Sequence, residues 1–200
     1  MAGTTTNLDG QKIVLGPGYL WADVAVPSAG ARITLHTDGT PDATANPNAK
    51  NLGLTKAGAT VEFGLETQDF ESDELTQPHL SRIIRGPSSI KAELLQIMDM
   101  TNILKYVMPG ASYSTASGYK QMTFGGQSSI TTYSFALIAP TVEDPTKFWV
   151  VQLYKAYNTA PFSFNVSRRD QAGAQIELVA QAIATRAVND QTGNFWQQIA

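Results

Sequence analysis

Apolar and polar residues alternate at a period of two along much of this chain, a pattern that predicts half-buried β-strands. In Ala59–Glu66, Val61, Phe63 and Leu65 fall on one face, while Thr60, Glu62 and Glu66 fall on the other. Ser89–Leu95 alternates in the same way, with Ile90, Ala92 and Leu94 inward. Further strands are expected over Tyr19–Val26, ended by Pro27, and over Arg32–Leu35, Leu80–Arg85, Tyr119–Phe124, Ser129–Ala139 and Pro161–Val166. Lys147–Tyr157 places Trp149, Val151, Leu153 and Tyr157 on one face. A helical stripe appears only once clearly, as Ile97, Met100, Ile103, Leu104 and Val107, with Asp99 as N-cap and a stop before Pro109-Gly110. Ala174–Ala187 fits both periods: Ile176, Leu178, Ala180 and Ala182 alternate, and Ile176, Val179, Ala180, Ile183 and Ala187 form a stripe. A strand is the preferred reading because it would complete a sandwich.

Between these segments, residues 1–16 read as a flexible lead and Thr37–Lys50, rich in Asp, Thr, Asn, Gly and Pro, as a long loop. Gly125-Gly126-Gln127-Ser128-Ser129 reads as a hairpin turn. Seven to nine strands with one helix predict a single, mainly β domain. The expected fold is an antiparallel β-sandwich or open barrel with one short flanking α-helix.

The segment Glu66–Glu74 interrupts the alternation without a Gly or a Pro, so it is not a tight hairpin turn. It reads as a long extended arm over residues 66–77, projecting from the sheet. Between Ala57 and Ser81 stand six acids (Glu62, Glu66, Asp69, Glu71, Asp73 and Glu74) and no Lys or Arg. The basic residues group elsewhere, at Arg82, Arg85, Arg168 and Arg169. An acidic arm with separate basic groups permits head-to-tail pairing between copies, and equally a solvated loop.

Composition narrows the classes. The charged share is 16%, low against the usual quarter, and neutral polar residues fill the difference. Such a surface suits extensive self-contact, since few charges need be desolvated, although β-rich proteins in general share the bias. The net charge of −3 leaves no broad basic surface for gripping phosphates. The absence of cysteine excludes disulfides and thiolate metal sites. Met1–Thr6 has no signal-peptide character, no window of 18 apolar residues exists, and Asn165-Val166-Ser167 is read as a chance sequon.

Candidate chemistry is thin. His36 and His79 have no second histidine and no carboxylate at a metal spacing. Asp69-x-Glu71-x-Asp73 faintly resembles a calcium loop, but Glu74 stands where the sharp turn needs Gly. Ser88–Lys91 and Ser117–Lys120 match S-x-x-K without the companion motifs of that chemistry. No catalytic set, cofactor or metal is expected. Exposed aromatics such as Trp21, Tyr113 and Tyr119 leave a carbohydrate-binding β-sandwich module as an alternative, stacking sugars on their rings.

The order of pieces carries a resemblance. Gly16-Pro17-Gly18-Tyr19-Leu20-Trp21 enters a strand and is followed by the polar loop. Then come Gly58-Ala59-Thr60-Val61-Glu62-Phe63, the acidic arm, and Ser89-Ile90-Lys91-Ala92-Glu93-Leu94 running into a short helix. The chain closes on Thr192-Gly193-Asn194-Phe195-Trp196. This resembles the major tail tube proteins of long-tailed bacteriophages. The resemblance implies two packed sheets with a flanking helix, assembly into hexameric rings stacked as a tube, and one sheet from each subunit lining the bore.

It implies an arm, carried here by Glu66, Asp69, Phe70, Glu71, Asp73, Glu74 and Leu75, that bridges subunits or rings. It also implies lumen-sheet strands holding Val61, Glu62, Phe63, Lys91 and Glu93. The bore would be acidic, so that double-stranded DNA slides without sticking. Partners would be the chain itself, a tape-measure protein, a tail terminator and distal tail proteins, in a virion tail built in the bacterial cytoplasm without membrane insertion. Tubes of contractile tails, gene-transfer particles and secretion machines share that fold.

Overall fold

The computed structural model describes residues 18–199 except 65, 71–79, 86–87, 96–102, 109, 126–127, 142–143, 162 and 164–172. It is mainly β and antiparallel. The strands are β1 (Tyr19–Ala22), β2 (Lys50–Phe63), β3 (Glu66–Phe70), β4 (Leu80–Arg85), β5 (Ser88–Leu94), β6 (Ser112–Ala116), β7 (Tyr119–Thr123), β8 (Tyr133–Pro140), β9 (Phe148–Asn158), β10 (Ala174–Ala180) and β11 (Gly193–Gln197). A short helix, α1 (Lys105–Val107), follows a wider helical turn at Ile103–Leu104.

Seven strands form one sheet in the order β10-β5-β2-β1-β8-β9-β11. That sheet folds back on itself, because β10 also pairs with β9 through Leu178↔Asn158, Val179↔Tyr157 and Ala180↔Ala156. The outcome lies between the two expected architectures: two sheet layers facing one another across a core, joined at their edges into a closed ring of strands. Alternation explains the core. Leu20, Leu52, Ile90, Leu94, Phe135, Val151, Leu153, Ile176 and Leu178 all point inward and are buried in one cluster. Ile103, Tyr106 and Val107 close that cluster from the side.

A second, smaller cluster explains why β8 and β9 are apolar on both faces. Val24, Ile33, Ala136, Ile138, Phe148 and Val150 pack outside the ring, beneath the polar segment that precedes β2. That segment is ordered by its own side chains. Asp42 accepts from the amides of Thr44 and Ala45, and the buried Asn46 accepts from the Ala25 amide at 3.0 Å while donating to the Asp42 carbonyl at 3.0 Å. Gly39, at φ +79°, lies so close to the Phe148 ring that a Cβ there would overlap it.

Several expectations are corrected. β1 ends at Ala22, not Val26, because Asp23 turns the chain at φ 57°. Arg32–Leu35 is not a strand; Leu35 forms a single bridge to Pro41. β2 starts at Lys50, nine residues before the expected strand, and an irregularity between Thr55 and Ala59 hides its continuity from a period-two reading. Phe63 lies on the core-facing side but is 61% exposed, since β2 runs past the end of the core. Ser129–Ala139 begins later, at Tyr133, and β6 was not anticipated. The ribbon β6–β7 turns at Ser117-Gly118, with Gly118 at φ +89°, while Gly126 and Gln127 of the expected turn Gly125–Ser129 lie outside the described residues. Ala174–Ala187 is a strand only to Ala180.

Asp99, the lead over 1–16, His79 and most of Pro161–Val166 lie outside the described residues. So do Leu65, Glu71, Asp73, Glu74 and Leu75. Glu66, Asp69 and Phe70 belong to β3, which pairs with β4 in the register Glu66↔Arg85, Asp69↔Ser81 and Phe70↔Leu80. Among the described residues, the base of the expected arm is therefore a two-stranded ladder that pairs with no strand of the main sheet.

Candidate functional site on the outer face of β2, β5 and β10

Inward residues at even positions of β5 leave Lys91 and Glu93 on the opposite, outer face. Register then aligns the neighbours. Thr60 of β2 and Glu177 of β10 sit beside Lys91, and Gln175 of β10 sits beside Glu93. The Lys91 ammonium contacts Glu62 at 2.8 Å and Glu177 at 3.4 Å, so one cation spans three strands. The hydrogen bond to Glu62 and its charge, reinforced by Glu177, hold the ammonium above its ordinary pKa. A groove of about 330 Å³ runs along this face, lined by Gly58, Thr60, Lys91, Glu93, Gln175 and Glu177 among others.

Three carboxylates (Glu62, Glu93 and Glu177) thus share a face with one ammonium that is already engaged. Among the described residues this face carries more carboxylates than cations, and its lysine is already engaged by Glu62 and Glu177. Of the residues that the resemblance assigned to lumen-sheet strands, Glu62, Lys91 and Glu93 lie on the outer face of β2 and β5. Val61 points the other way, against the core, and Phe63 stands at the end of the ring. Glu177 was missed, because the double periodicity of 174–187 hid which of its residues face outward.

A larger cleft of about 430 Å³ lies beside the end of β1, lined by Asp23, Asn46, Tyr133, Ser134, Tyr154 and Lys155 among others. Several of its groups are committed to structure. The Ser134 hydroxyl donates to the Val24 carbonyl. Burial pushes Tyr106, next to Asp23, up to about 12, and the Tyr133 phenol is raised for the same reason. His36 is exposed in a turn where its backbone bonds Thr40 and Gly39. Among the described residues no group of three or more His, Cys, Asp or Glu could hold a metal ion. No described helix is long and apolar enough to cross a membrane.

Of the three aromatics that suggested a sugar platform, Trp21 packs against the second cluster and Tyr113 is half-buried, leaving Tyr119 exposed. The structure does not assemble these three into one platform: Trp21 is in β1 and the other two are in the separate ribbon β6–β7. No protein-family profile matches the chain, and no curated protein matches it in sequence.

Proposed function

We propose that this chain is a structural virion protein, the tube subunit of a long-tailed bacteriophage, which self-assembles into stacked hexameric rings that conduct the genome. The observation that carries this reading is the outer face of β2, β5 and β10. A broad antiparallel sheet turns three carboxylates outward around one neutralised lysine, while its other face builds the core. A face on which carboxylates outnumber cations among the described residues repels a phosphodiester backbone more than it holds it. Conduction asks for such a surface; sequence-specific nucleic-acid binding asks for the reverse. In this reading the chain works in the virion tail, with a tape-measure protein, terminator and distal tail proteins as partners.

Negative-stain electron microscopy with light scattering on the purified chain tests it. Rings or hollow tubes are the expected result. A monomer of 21.5 kDa at high concentration, with measurable affinity in a glycan screen, would replace it with the carbohydrate-binding reading.

A further inference from the structure

β11 pairs with β9 in a register that sets Asn194 beside Gln152 and Trp196 beside Val150. Gly193 permits this approach, because a Cβ there would overlap the Gln152 carbonyl. Trp196 packs against the cluster outside the ring, so Asn194, two residues earlier on the same strand, faces outward as well. A cavity of about 210 Å³ opens beside them, lined by Ala31, Arg32, Tyr154, Asp190, Asn194 and Trp196 among others.

Two groups of this wall, the Asn194 Oδ1 and the Trp196 Nε1, are buried atoms with no hydrogen-bond partner among the described residues. A third such atom, the Oε1 of the fully buried Gln152, belongs to the cross-strand neighbour of Asn194. Three of the four unpartnered buried side-chain atoms among the described residues therefore gather at one place. Both amides donate elsewhere, Gln152 to the Ala25 carbonyl at 3.0 Å and Asn194 to the Ala31 carbonyl at 3.4 Å, which leaves their oxygens as the free ends. Buried polar groups are nearly always paired, and leaving one unpaired is costly. A cluster of two acceptors and one donor asks for a partner from outside the chain.

The surroundings select its chemistry. Asp190 is engaged by Arg186 at 2.6 Å and by the Tyr154 hydroxyl at 2.7 Å, yet its carboxylate still opposes an anion. An anion such as sulfate also has no hydrogen to give the amide oxygens. A metal ion would leave the indole N–H unpaired, and an apolar ligand would leave all three groups so. A hydroxyl both donates and accepts. Neighbouring hydroxyls on a rigid ring satisfy the indole and the amide oxygens together, while Ala31 and the indole cover its C–H surface. Arg32, exposed over the Trp196 ring at 5.9 Å, adds donors at the mouth. At roughly 30 Å³ per water the cavity has room for roughly seven waters. That suits one sugar ring and falls below the roughly 300–1,000 Å³ of sites for drug-sized ligands.

We infer that this cavity binds a single neutral sugar ring through its hydroxyls, with the Trp196 N–H and the Asn194 Oδ1 as anchors and Gln152 behind Asn194. The site is separate from the face of β2, β5 and β10 and from the exposed Tyr119 ring, and it goes beyond the tube reading.

The test is saturation-transfer difference spectroscopy on the full chain, which tolerates any state of assembly. The probes are methyl α-D-glucopyranoside, methyl β-D-galactopyranoside and N-acetylglucosamine. Transfer to the ring protons of at least one probe is expected. Trp196→Phe keeps a ring and removes the N–H, and Asn194→Ala removes the acceptor. Each should raise the half-saturating concentration about tenfold, the effect of one lost hydrogen bond. Trp196→Phe strands no partner among the described residues, so it should melt within a few degrees of the wild type, and weaker transfer from a chain that melts normally is not unfolding. If that variant does melt early, Asn194→Ala decides by the same two readings.

No transfer to any probe would overturn the inference and leave the three groups to water. Transfer undiminished in both variants would overturn it too, as would transfer abolished by Tyr119→Ser and kept in Trp196→Phe. Electron microscopy of the same samples separates the two readings. Tubes without transfer would keep the tube and sink the site; monomers whose transfer weakens in Trp196→Phe would do the opposite.

Discussion

The side-chain amide of Asn158 donates to the backbone carbonyl of Val107 at 2.7 Å, tying the last residue of β9 to the end of α1. Its Oδ1 accepts from the Glu177 amide at 2.8 Å, so the same buried residue also fixes β10 where the ring of strands closes. Removing it leaves a carbonyl and an amide unsatisfied in the interior. Asn158→Ala should cost about 2–3 kcal/mol, read as a lower denaturation midpoint with an unchanged slope. Asn158→Asp should be at least as damaging, because a carboxylate would face the Val107 carbonyl.

Gly39 makes a second point of closure, between the polar segment and the β9 face. Its positive φ and the adjacent Phe148 ring both oppose a side chain. Gly39→Ala should destabilise by about 1–3 kcal/mol, while Gly30→Ala, at positive φ but in open space, should cost less. Paired thermal melts of the two variants compare strain alone with strain plus overlap.

Arg186 and Asp190 clamp the connection between β10 and β11. The guanidinium contacts the Asp190 carboxylate at 2.6 Å, donates to the Pro27 carbonyl at 2.8 Å and covers the Tyr154 ring at 4.2 Å. The Tyr154 hydroxyl donates to Asp190 at 2.7 Å. That hydrogen bond, followed by Arg186, holds the Asp190 carboxyl below its ordinary value. A depressed folded-state pKa contributes stability above the unfolded value, lost as pH falls through the folded one. Stability should therefore decline below about pH 4, the usual carboxylate range, and Asp190→Asn should flatten that part of the profile in denaturation midpoints measured from pH 2 to 7.

At the alkaline end the sign reverses. Burial first, with Asp23 adding to it for Tyr106 and Asp190 for Tyr154, pushes both phenols up to about 12. A raised folded-state pKa leaves stability intact below the unfolded value near 10 and removes it as pH rises toward 12. Ultraviolet titration should show Tyr106 and Tyr154 as the latest-ionising of the seven tyrosines, with Tyr133 also above the ordinary range, coinciding with alkaline unfolding. Tyr106→Phe and Tyr154→Phe should each remove one late group. Two late phenols that ionise near pH 10 in the intact fold would contradict this.

Deletion of residues 66–77 tests the arm. The strand pair β3–β4 stands outside the main sheet, so the remaining core should melt within a few degrees of the intact chain. Assembly measured by light scattering should be lost if the arm bridges copies. Normal tubes from the deleted chain would end that assignment.

Period-two alternation was enough to place β5, β9 and the inward residues Ile90, Leu94, Val151 and Leu153, because each strand buries one face and the pleat makes that face visible in sequence. It also separated Lys91 and Glu93 from the core. It missed the first half of β2, because the irregularity between Thr55 and Ala59 breaks the phase, and it missed β6, because an exposed ribbon of Ser, Thr and Tyr buries no face to announce it. It placed Phe63 on the correct side of its strand but could not tell that β2 outruns the core.

Local periodicity alone determined the antiparallel β character of this chain, its inward faces and its acid-rich segment. Tertiary structure decided which strands meet. Only the pairing of β10 with β5 brings Glu177 to Lys91, and only the pairing of β10 with β9 closes the ring that Asn158 secures. Those contacts join residues distant in sequence, and their energy depends on register and burial, which no short window of residues encodes.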